Sequence, residues 1–400
     1  MKIIVQKFGG NTLLNEKDRY LMSQNIIKAI SEGYCPIIVV SAMGRKGFPY
    51  ATDSLLDLVD SDEILADLRE KDLLMSCGEI VSSVIISSYL RRKGLKTKAL
   101  TGWQSGIFTN SDHTSAKILN IQKENLLNLL GDGFVPIVAG FQGISLNGDI
   151  TTLGRGGSDT TAAAIGVALS VDRVEIFTDV KGIYTADPRV VSKAMLLDQI
   201  SFTELFQMAS HGSKVVHPRA VEIAMENDIE LVVSSLENEY PGTIVKSIKK
   251  DRIEEEKVRF ITALSHEEGL VQIHFPNLSG IASKKLYNNL AKNLVSLDLI
   301  SVTPKGHYFV IKSDKLDTTT RISDELNLEY QVRDPVSKIS CIGVGMHQQP
   351  GVFSQIITTL VNKDVDVIQT TDSHMTITCL IYSSDLCKAL EALHEKFFTA

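Results

Sequence analysis

Short apolar runs alternate with longer amphipathic stretches from Met1 to about Val245, and this rhythm predicts βαβ units around a largely parallel sheet. Six runs read as strands: Lys2–Lys7, Pro36–Ser41, Lys98–Leu100, Val135–Gly140, Val174–Thr178 and Glu230–Ser234. Each is bounded by Gly, Pro, Ser, Thr or a charged residue. Between them, Leu21–Ser31, Leu73–Leu90, Ser115–Leu130, Thr160–Leu169, Phe202–Ser210 and Pro218–Met225 carry apolar residues at helical spacing. The expected fold class is α/β, an open sheet sandwiched by helices over residues 1–245.

Residues 246–259 (KSIKKDRIEEEKVR) are nearly all charged, in blocks of both signs. They read as a linker, although a solvated helix inside one continuous domain would carry the same pattern. The grammar then changes. From Val258 a strand, a Gly-led helix and a strand–turn–strand unit occur twice, at a period of about seventy residues. Pro276-Asn277-Leu278-Ser279-Gly280-Ile281 matches Gln348-Gln349-Pro350-Gly351-Val352-Phe353, with the two glycines 71 positions apart. Leu297–Ile300 then matches Val365–Ile368, and Tyr308–Ile311 matches Ile377–Ile381. Two α+β modules of βαββαβ type are expected, at 260–335 and 336–400.

Composition narrows the chemistry. The 400 residues hold 41 Lys+Arg against 48 Asp+Glu, a net charge of −7, and 44% are hydrophobic. That suffices for two or three domains of roughly 150 residues, each with its own core, and excludes disordered and fibrous classes. With mild acidity and no basic run, neither nucleic acid nor a membrane surface is an expected partner. No apolar run approaches the roughly 20 residues of a membrane span, and Met1–Gly10 lacks the apolar core and cleavage site of an export signal. Five scattered cysteines (Cys35, Cys77, Cys341, Cys379, Cys387) without a C-x-x-C pair read as reduced thiols. A cytoplasmic protein acting on small molecules is expected.

Candidate chemistry lies in four segments. The first strand runs into Lys7-Phe8-Gly9-Gly10-Asn11-Thr12. A Gly pair there lets backbone N–H groups approach phosphate oxygens, though alone it fits a plain tight turn equally well. Leu153-Gly154-Arg155-Gly156-Gly157-Ser158-Asp159-Thr160 sets glycines, a hydroxyl and a capping Asp at a helix start, an anion site with an Arg inside it. Phe177-Thr178-Asp179-Val180-Lys181-Gly182-Ile183-Tyr184-Thr185-Ala186-Asp187-Pro188-Arg189 offers groups for adenine, ribose and phosphate, or reads as a strand, a loop and a Pro turn. Gly212-Ser213-Lys214-Val215-Val216-His217-Pro218-Arg219-Ala220 places either a ligand-binding cation or a solvated Lys before a helix.

Taken in order, these segments resemble the aspartokinase family of amino-acid kinases. The family's motifs are K-F-G-G-T-S, L-G-R-G-G-S-D, F-T-D-V-x-G-[IV]-x-[TS]-x-D-P-R and G-[AS]-K-V-x-H-P-R-A. The resemblance covers the whole chain. Ser41-Ala42-Met43-Gly44, Thr52-Asp53 and Ser76-Cys77-Gly78-Glu79 fall where that family carries substrate-binding residues, and the repeat resembles its paired ACT modules. The expected kind is single-chain and monofunctional, without a dehydrogenase segment. Two departures are visible: Asn11-Thr12 stands for the family's Thr-Ser, and Ser279 stands where Pro is usual.

The resemblance implies transfer of the ATP γ-phosphoryl group to the β-carboxylate of L-aspartate, giving 4-phospho-L-aspartate, the first step toward lysine and diaminopimelate, threonine and methionine. Lys7, Arg155 and Asp159 are the implied catalytic residues, with Asp159 orienting Lys7 by an ion pair. Gly9, Gly10, Thr12, Gly156 and Gly157 would meet the phosphates and their Mg²⁺. Thr178, Asp179, Tyr184, Arg189 and Lys214 would hold the rest of the nucleotide. For aspartate, Arg155 suits the α-carboxylate, Glu79 the α-ammonium, and Ser41, Thr52 and Ser158 add hydroxyls. No metal ligands of the protein's own are expected. In the ACT-like repeat, the loops at Gly280 and Gly351 would meet an effector's carboxylate and Asp298 or Asp366 its ammonium. That effector would be lysine, threonine or meso-diaminopimelate, and a homodimer or higher homo-oligomer through these modules is implied. A sister kinase acting on glutamate or uridylate, and a catalytically weakened amino-acid sensor, are the alternatives.

Overall fold

The computed structural model describes residues 1–59, 67–237, 241–248, 260–346 and 349–399, so most of the expected linker 246–259 lies outside the described residues. The chain forms two compact units. One comprises Met1–Ile183, Leu196–Ala209 and Lys214–Arg252, and the other Tyr184–Met195, Ser210–Ser213 and Ile253–Ala400. Two short pieces of the first 245 residues therefore belong to the second unit.

In the first unit, an eight-stranded sheet runs in the spatial order Gln199–Ser201, Thr243–Lys246, Glu230–Ser235, Arg173–Thr178, Lys2–Phe8, Tyr34–Val40, Val135–Ala139, Thr97–Leu100. Neighbouring strands are parallel except Glu230–Ser235 with Thr243–Lys246. All six expected strands are present within a few residues. Ile4, Val5 and Phe8 of the central strand are fully buried, as both-face coverage by helices requires of a continuous apolar run. From that strand the chain passes to Tyr34–Val40 on one side, and Arg173–Thr178 lies on the other. The strand order reverses there, and open α/β sheets hold ligands at the carboxyl end of such a point.

Helices Glu16–Ser31, Leu68–Arg92 and Gly157–Leu169 cover the sheet, and Pro218–Glu226 packs on Gly157–Leu169. Among the described residues, Leu68–Arg92 is long and apolar enough to cross a membrane, yet 56% of its most apolar window is buried in the protein. Asp72, Ser76 and Glu79 on its buried side mark it as a core helix.

One helix expectation is corrected. Ser115–Leu130 is not continuous: it makes a strand, Ile118–Ile121, then a helix, Glu124–Gly131. That strand joins a second sheet in the order Ile118–Ile121, Ile107–Thr109, Gln142–Ser145, Ile150–Thr152. Strands of three or four residues are too short to show a period of two. The hairpin from Gln142 to Thr152 did carry a signal, the Asn147-Gly148 step, with Gly148 at φ +88°.

The second unit is one six-stranded antiparallel sheet, in the order Asp298–Thr303, Gly306–Lys312, Ala263–Phe275, Gln331–Ile342, Thr376–Tyr382, Val367–Asp372. Helices Gly280–Lys292, Leu316–Glu325, Val352–Val361 and Leu386–Phe398 accompany it. Both copies of the repeat are present, but the chain does not divide between them at 335/336. Ala263–Phe275 is 13 residues long, about twice a usual strand, and is shared. Its first half pairs with Lys338–Ile342, and Ile261 and Leu264 enter the second copy's core with Ile339, Ile356, Ile377 and Leu390. Its second half sends Val271, Ile273 and Phe275 into the first copy's core with Leu286, Phe309 and Ile322. The first copy is therefore inserted into the second. Ala186 and Val191, from the segment Tyr184–Met195, complete the second copy's core, and the Leu264 N–H donates to the Thr185 carbonyl at 2.7 Å.

Candidate active site

Lys7 sits one residue before the end of the central strand, between Val39 and Ile176. Strand alternation points Lys7 and Gln6 to opposite faces. Lys7 Nζ stands 2.7 Å from Asp159 Oδ1, with both side chains nearly buried. Asp159 lies in the first turn of Gly157–Leu169, where the helix dipole favours an anion. The other oxygen of Asp159 accepts from the His217 N–H at 3.4 Å. His217 also covers Gly156: a Cβ at that position would come within 2.1 Å of its side chain. With φ at +68° as well, only glycine fits. Burial lowers the His217 pKa, against the opposing charge of Asp159. Arg219 Nη1 donates to the Leu153 carbonyl at 2.9 Å, tying the helix Pro218–Glu226 to the turn before Gly154. His217 and Arg219 stand in the segment Gly212–Ala220, but only the fold gives them these partners.

The Gly9–Gly10 turn is tight because a Cβ on Gly10 would lie 2.2 Å from the Ala42 carbonyl oxygen. In this structure three of the expected phosphate-side groups make hydrogen bonds within the glycine turns. The Gly9 N–H donates to Phe177 O at 3.3 Å and the Gly157 N–H to Gly154 O at 3.0 Å. The Thr12 hydroxyl donates to Gly9 O at 2.7 Å. These protons serve the turns themselves, which leaves the N–H groups of Gly10 and Gly156 from the expected set of four for a phosphate.

A cation absent from the sequence reading stands over the same turn. The Gly44 N–H donates to Gly10 O at 3.3 Å, which brings in Arg45. With its amide oxygen turned toward Arg45, Asn11 accepts from Nε at 3.1 Å and Nη2 at 2.9 Å, and Nη2 is 3.2 Å from Asp179 Oδ2. Asn11 thus has a local use, holding Arg45. Exposed contacts of this kind are worth about 0–1 kcal/mol. Asn11→Thr should therefore change kcat and the ATP KM by less than about fivefold in steady-state kinetics. A gain of several hundredfold in kcat would instead show that Asn11 impairs the reaction.

Glu79 is 3% exposed. Its Oε1 accepts the Ala42 N–H at 3.0 Å, and its Oε2 has no partner among the described residues. Burial pushes its pKa up to about 8, against the opposing effect of the Ala42 N–H. Gly78 permits this packing, since a Cβ there would stand 2.7 Å from Tyr50 O and 2.8 Å from the Ala42 Cβ. Ala42, next to Ser41, and Tyr50, two residues before the short helix Thr52–Leu56, thus pack on the helix at Gly78 and Glu79. A buried carboxyl with an orphan oxygen is a site awaiting a donor, and a cation best of all. Ser158 packs on the glycine at the end of another strand, for a Cβ on Gly140 would meet its Oγ at 2.9 Å. Arg155 is exposed on its turn.

The remaining candidates are placed as follows. The Thr178 hydroxyl donates to Asp179 Oδ1 at 3.2 Å, and Lys214 is exposed. Tyr184 and Arg189 belong to the second unit, where Arg189 pairs with Asp187 at 2.6 Å. Ser279 has a clear purpose: its hydroxyl accepts the Ala282 N–H at 3.3 Å as the N-cap of Gly280–Lys292. Gly351, at φ +98°, lines a cavity of about 410 Å³ with Gln349, Thr370, Asp372 and Ser373. Asp298 is already engaged by the buried Lys338 and by the Leu299 N–H at 2.8 Å, so it is not an open ammonium site. Asp366 is exposed, and Asp372 is among the residues lining the cavity. Residues 347 and 348 of that loop lie outside the described residues.

The arrangement sets a charged Lys at a glycine turn suited to phosphate, beside a buried carboxyl suited to an ammonium group. Comparison with known proteins agrees with it. Residues 2–235 match the amino acid kinase family and residues 339–397 the ACT domain. The chain is 42% identical over 400 residues to aspartokinase 1 of Bacillus subtilis (strain 168), covering 99% of each chain. It is 34% identical over 408 residues to an aspartokinase of Geobacillus stearothermophilus, covering 99% of this chain and 97% of the other. Among solved structures, E. coli aspartokinase III in complex with lysine and aspartate matches with a TM-score of 0.78 at 25% identity, over all of both chains. The same enzyme in complex with aspartate and ADP matches with a TM-score of 0.81 at 24% identity, over 99% of this chain and 100% of that one.

Proposed function

This chain belongs to the aspartokinases of the amino acid kinase family, and we propose that it transfers the γ-phosphoryl group of ATP to the β-carboxylate of L-aspartate. The observation that carries the choice of an amino acid is Glu79, a buried carboxyl with an oxygen unpartnered among the described residues, in the unit that holds Lys7 and Asp159.

The attacking group is a carboxylate whose ordinary pKa is near 3.9, ionised at neutral pH, so no general base is needed. The task is to bring two anions together and stabilise charge as the phosphoryl group moves. Lys7, oriented by Asp159, supplies a fixed positive charge. The N–H groups of Gly10 and Gly156 supply dipoles, and Thr178, Asp179 and Lys214 are the first unit's nucleotide candidates. Those turns would meet ATP phosphates carrying Mg²⁺, which would supply further charge neutralisation. Glu79 takes the α-ammonium of aspartate and Arg155 its α-carboxylate through a bidentate fork, with Ser41, Thr52 and Ser158 contributing hydroxyls. A cytoplasmic location suits both substrates.

A coupled assay of ADP release with MgATP tests this: turnover is expected with L-aspartate and not with L-glutamate or UMP. Equal turnover with glutamate, or none with aspartate, would refute it.

The second unit is proposed to carry feedback inhibition by an amino acid, lysine, threonine or meso-diaminopimelate. The cavity at Gly351, with the start of Val352–Val361 for a carboxylate, supports that reading. Gly351→Asp places a like charge where the carboxylate would go. It should raise the half-inhibitory concentration of whichever of the three inhibits wild type by at least about tenfold. Unchanged inhibition would remove the effector from this loop. The edge strand Asp298–Thr303, with Ile300 and Val302 exposed, supports homo-oligomer formation through this sheet.

A further inference from the structure

Helix Leu68–Arg92 carries a second buried carboxylate that the proposed reaction does not use. Asp72 is 0% exposed and precedes Glu79 by about two helical turns, on the same buried side. The Thr114 N–H lies 3.0 Å from both of its oxygens. Oδ2 is 2.8 Å from His113 Nδ1, and Oδ1 accepts the Thr152 hydroxyl. Three donors, one shared between the oxygens, saturate the carboxylate, so Asp72 is a junction within the protein and not a ligand site. Thr114 is held there at φ +67°, a conformation that a β-branched residue adopts only when its surroundings impose it.

The junction joins the two halves of the proposed aspartate site. Thr152 ends the strand Ile150–Thr152 and stands three residues before Arg155. Its carbonyl accepts from the Ala116 N–H at 2.9 Å, and the Leu153 N–H donates to Phe141 O at 2.8 Å. The Thr114 carbonyl oxygen packs on Gly154, 3.1 Å from where a Cβ would be. About one helical turn beyond Asp72, the Ser76 carbonyl accepts from Gln142 Nε2 at 2.9 Å, and Gln142 is the cross-strand neighbour of Thr152. Two ties therefore fasten the hairpin that leads into Arg155 onto the helix that carries Glu79.

We infer that Asp72 is a positioning residue for aspartate: it sets where the Arg155 turn stands relative to Glu79. This rests on the reading of those two residues as the partners of the α-carboxylate and α-ammonium. A zwitterion is held well only when both ends are met at once, and a shift of about 1 Å is costly. Among the described residues Asp72 bonds to His113, Thr114 and Thr152 and to none on the Gly9–Gly10 turn or at Thr178 and Asp179; of the phosphate donors only Gly156 shares the Arg155 turn, so the aspartate end depends on the junction more than the nucleotide end does.

Steady-state kinetics on the full chain test it. Asp72→Ala should raise the aspartate KM about tenfold or more, and the ATP KM, through Gly156 alone, by less than about threefold. Asp72→Asn can still accept from Thr114 and Thr152 and can donate to His113 Nδ1. It should restore the aspartate KM to within about threefold of wild type. Thr152→Val deletes one bond at nearly constant shape and should raise the aspartate KM about three- to tenfold; it carries the test if Asp72→Ala does not fold. The inference is overturned if these variants keep the wild-type aspartate KM while Glu79→Gln and Arg155→Ala raise it. It is equally overturned if the aspartate and ATP KM values rise by the same factor. Should Glu79→Gln and Arg155→Ala themselves leave the aspartate KM unchanged, the assignment of the substrate's two ends fails, and the inference falls with it.

Discussion

Lys7→Ala is expected to lower kcat by about a thousandfold while nucleotide affinity changes by less than about threefold. The ammonium group is held 2.7 Å from Asp159 with little solvent around it, so it cannot relax toward whichever phosphate is most charged in the ground state. A fixed charge of this kind acts where charge is moving, and stabilisation present only in the transition state appears in kcat. Asp159→Asn should lose part of the same effect, because an amide orients an ammonium less strongly than a carboxylate does. The measurement is kcat from ADP release beside nucleotide dissociation constants from titration. If affinity fell in parallel with kcat, Lys7 would be a binding residue. A near-normal rate would reduce it to a structural position in the strand.

Glu79→Gln should raise the aspartate KM about 10- to 100-fold and abolish its pH dependence. In wild type the Glu79 carboxyl is pushed up to about 8 by burial, from 4.5. Between those values the unfolded chain has lost the proton and the folded, unliganded protein keeps it. The native state therefore loses stability as pH rises through this window, and Glu79→Gln should remove that slope. Aspartate brings an ammonium that favours the carboxylate, so its binding expels the proton. The apparent aspartate KM should accordingly fall as pH rises from 6 toward 8, by up to about tenfold per unit, and level off above. At pH 7, calorimetry in buffers of different ionisation heat should find about one proton released per aspartate bound. A pH-independent KM in wild type, or the same slope in Glu79→Gln, would take the ammonium away from Glu79.

Much of this protein was legible along the chain, and for identifiable reasons. The strand Lys2–Phe8 is buried on both faces and so must be a run of apolar residues. Lys7, Gly9 and Gly10 are near neighbours whose chemistry is visible as a string. Gly280 and Gly351 reported the repeat because each marks the start of its copy's helix, although Gly351 is itself the N-cap and Gly280 follows one, Ser279. What depends on residues distant in sequence was not legible. No pattern shows that Thr12 and Gly157 spend their protons inside their own turns, or that Asn11 holds Arg45. Nor does any show that Asp298 is already claimed by Lys338. The shared strand Ala263–Phe275 escaped notice because each half alone looks like an ordinary strand, and only its pairing partners assign it to one copy or the other. Glu79 is the clearest case. Its identity and place in a motif belong to the sequence, but its raised pKa and its orphan oxygen exist only because Gly78 lets the helix close on Ala42 and Tyr50 and exclude water. Residue type sets which proton a group can hold. Desolvation, which only the folded surroundings impose, decides at what pH it lets that proton go.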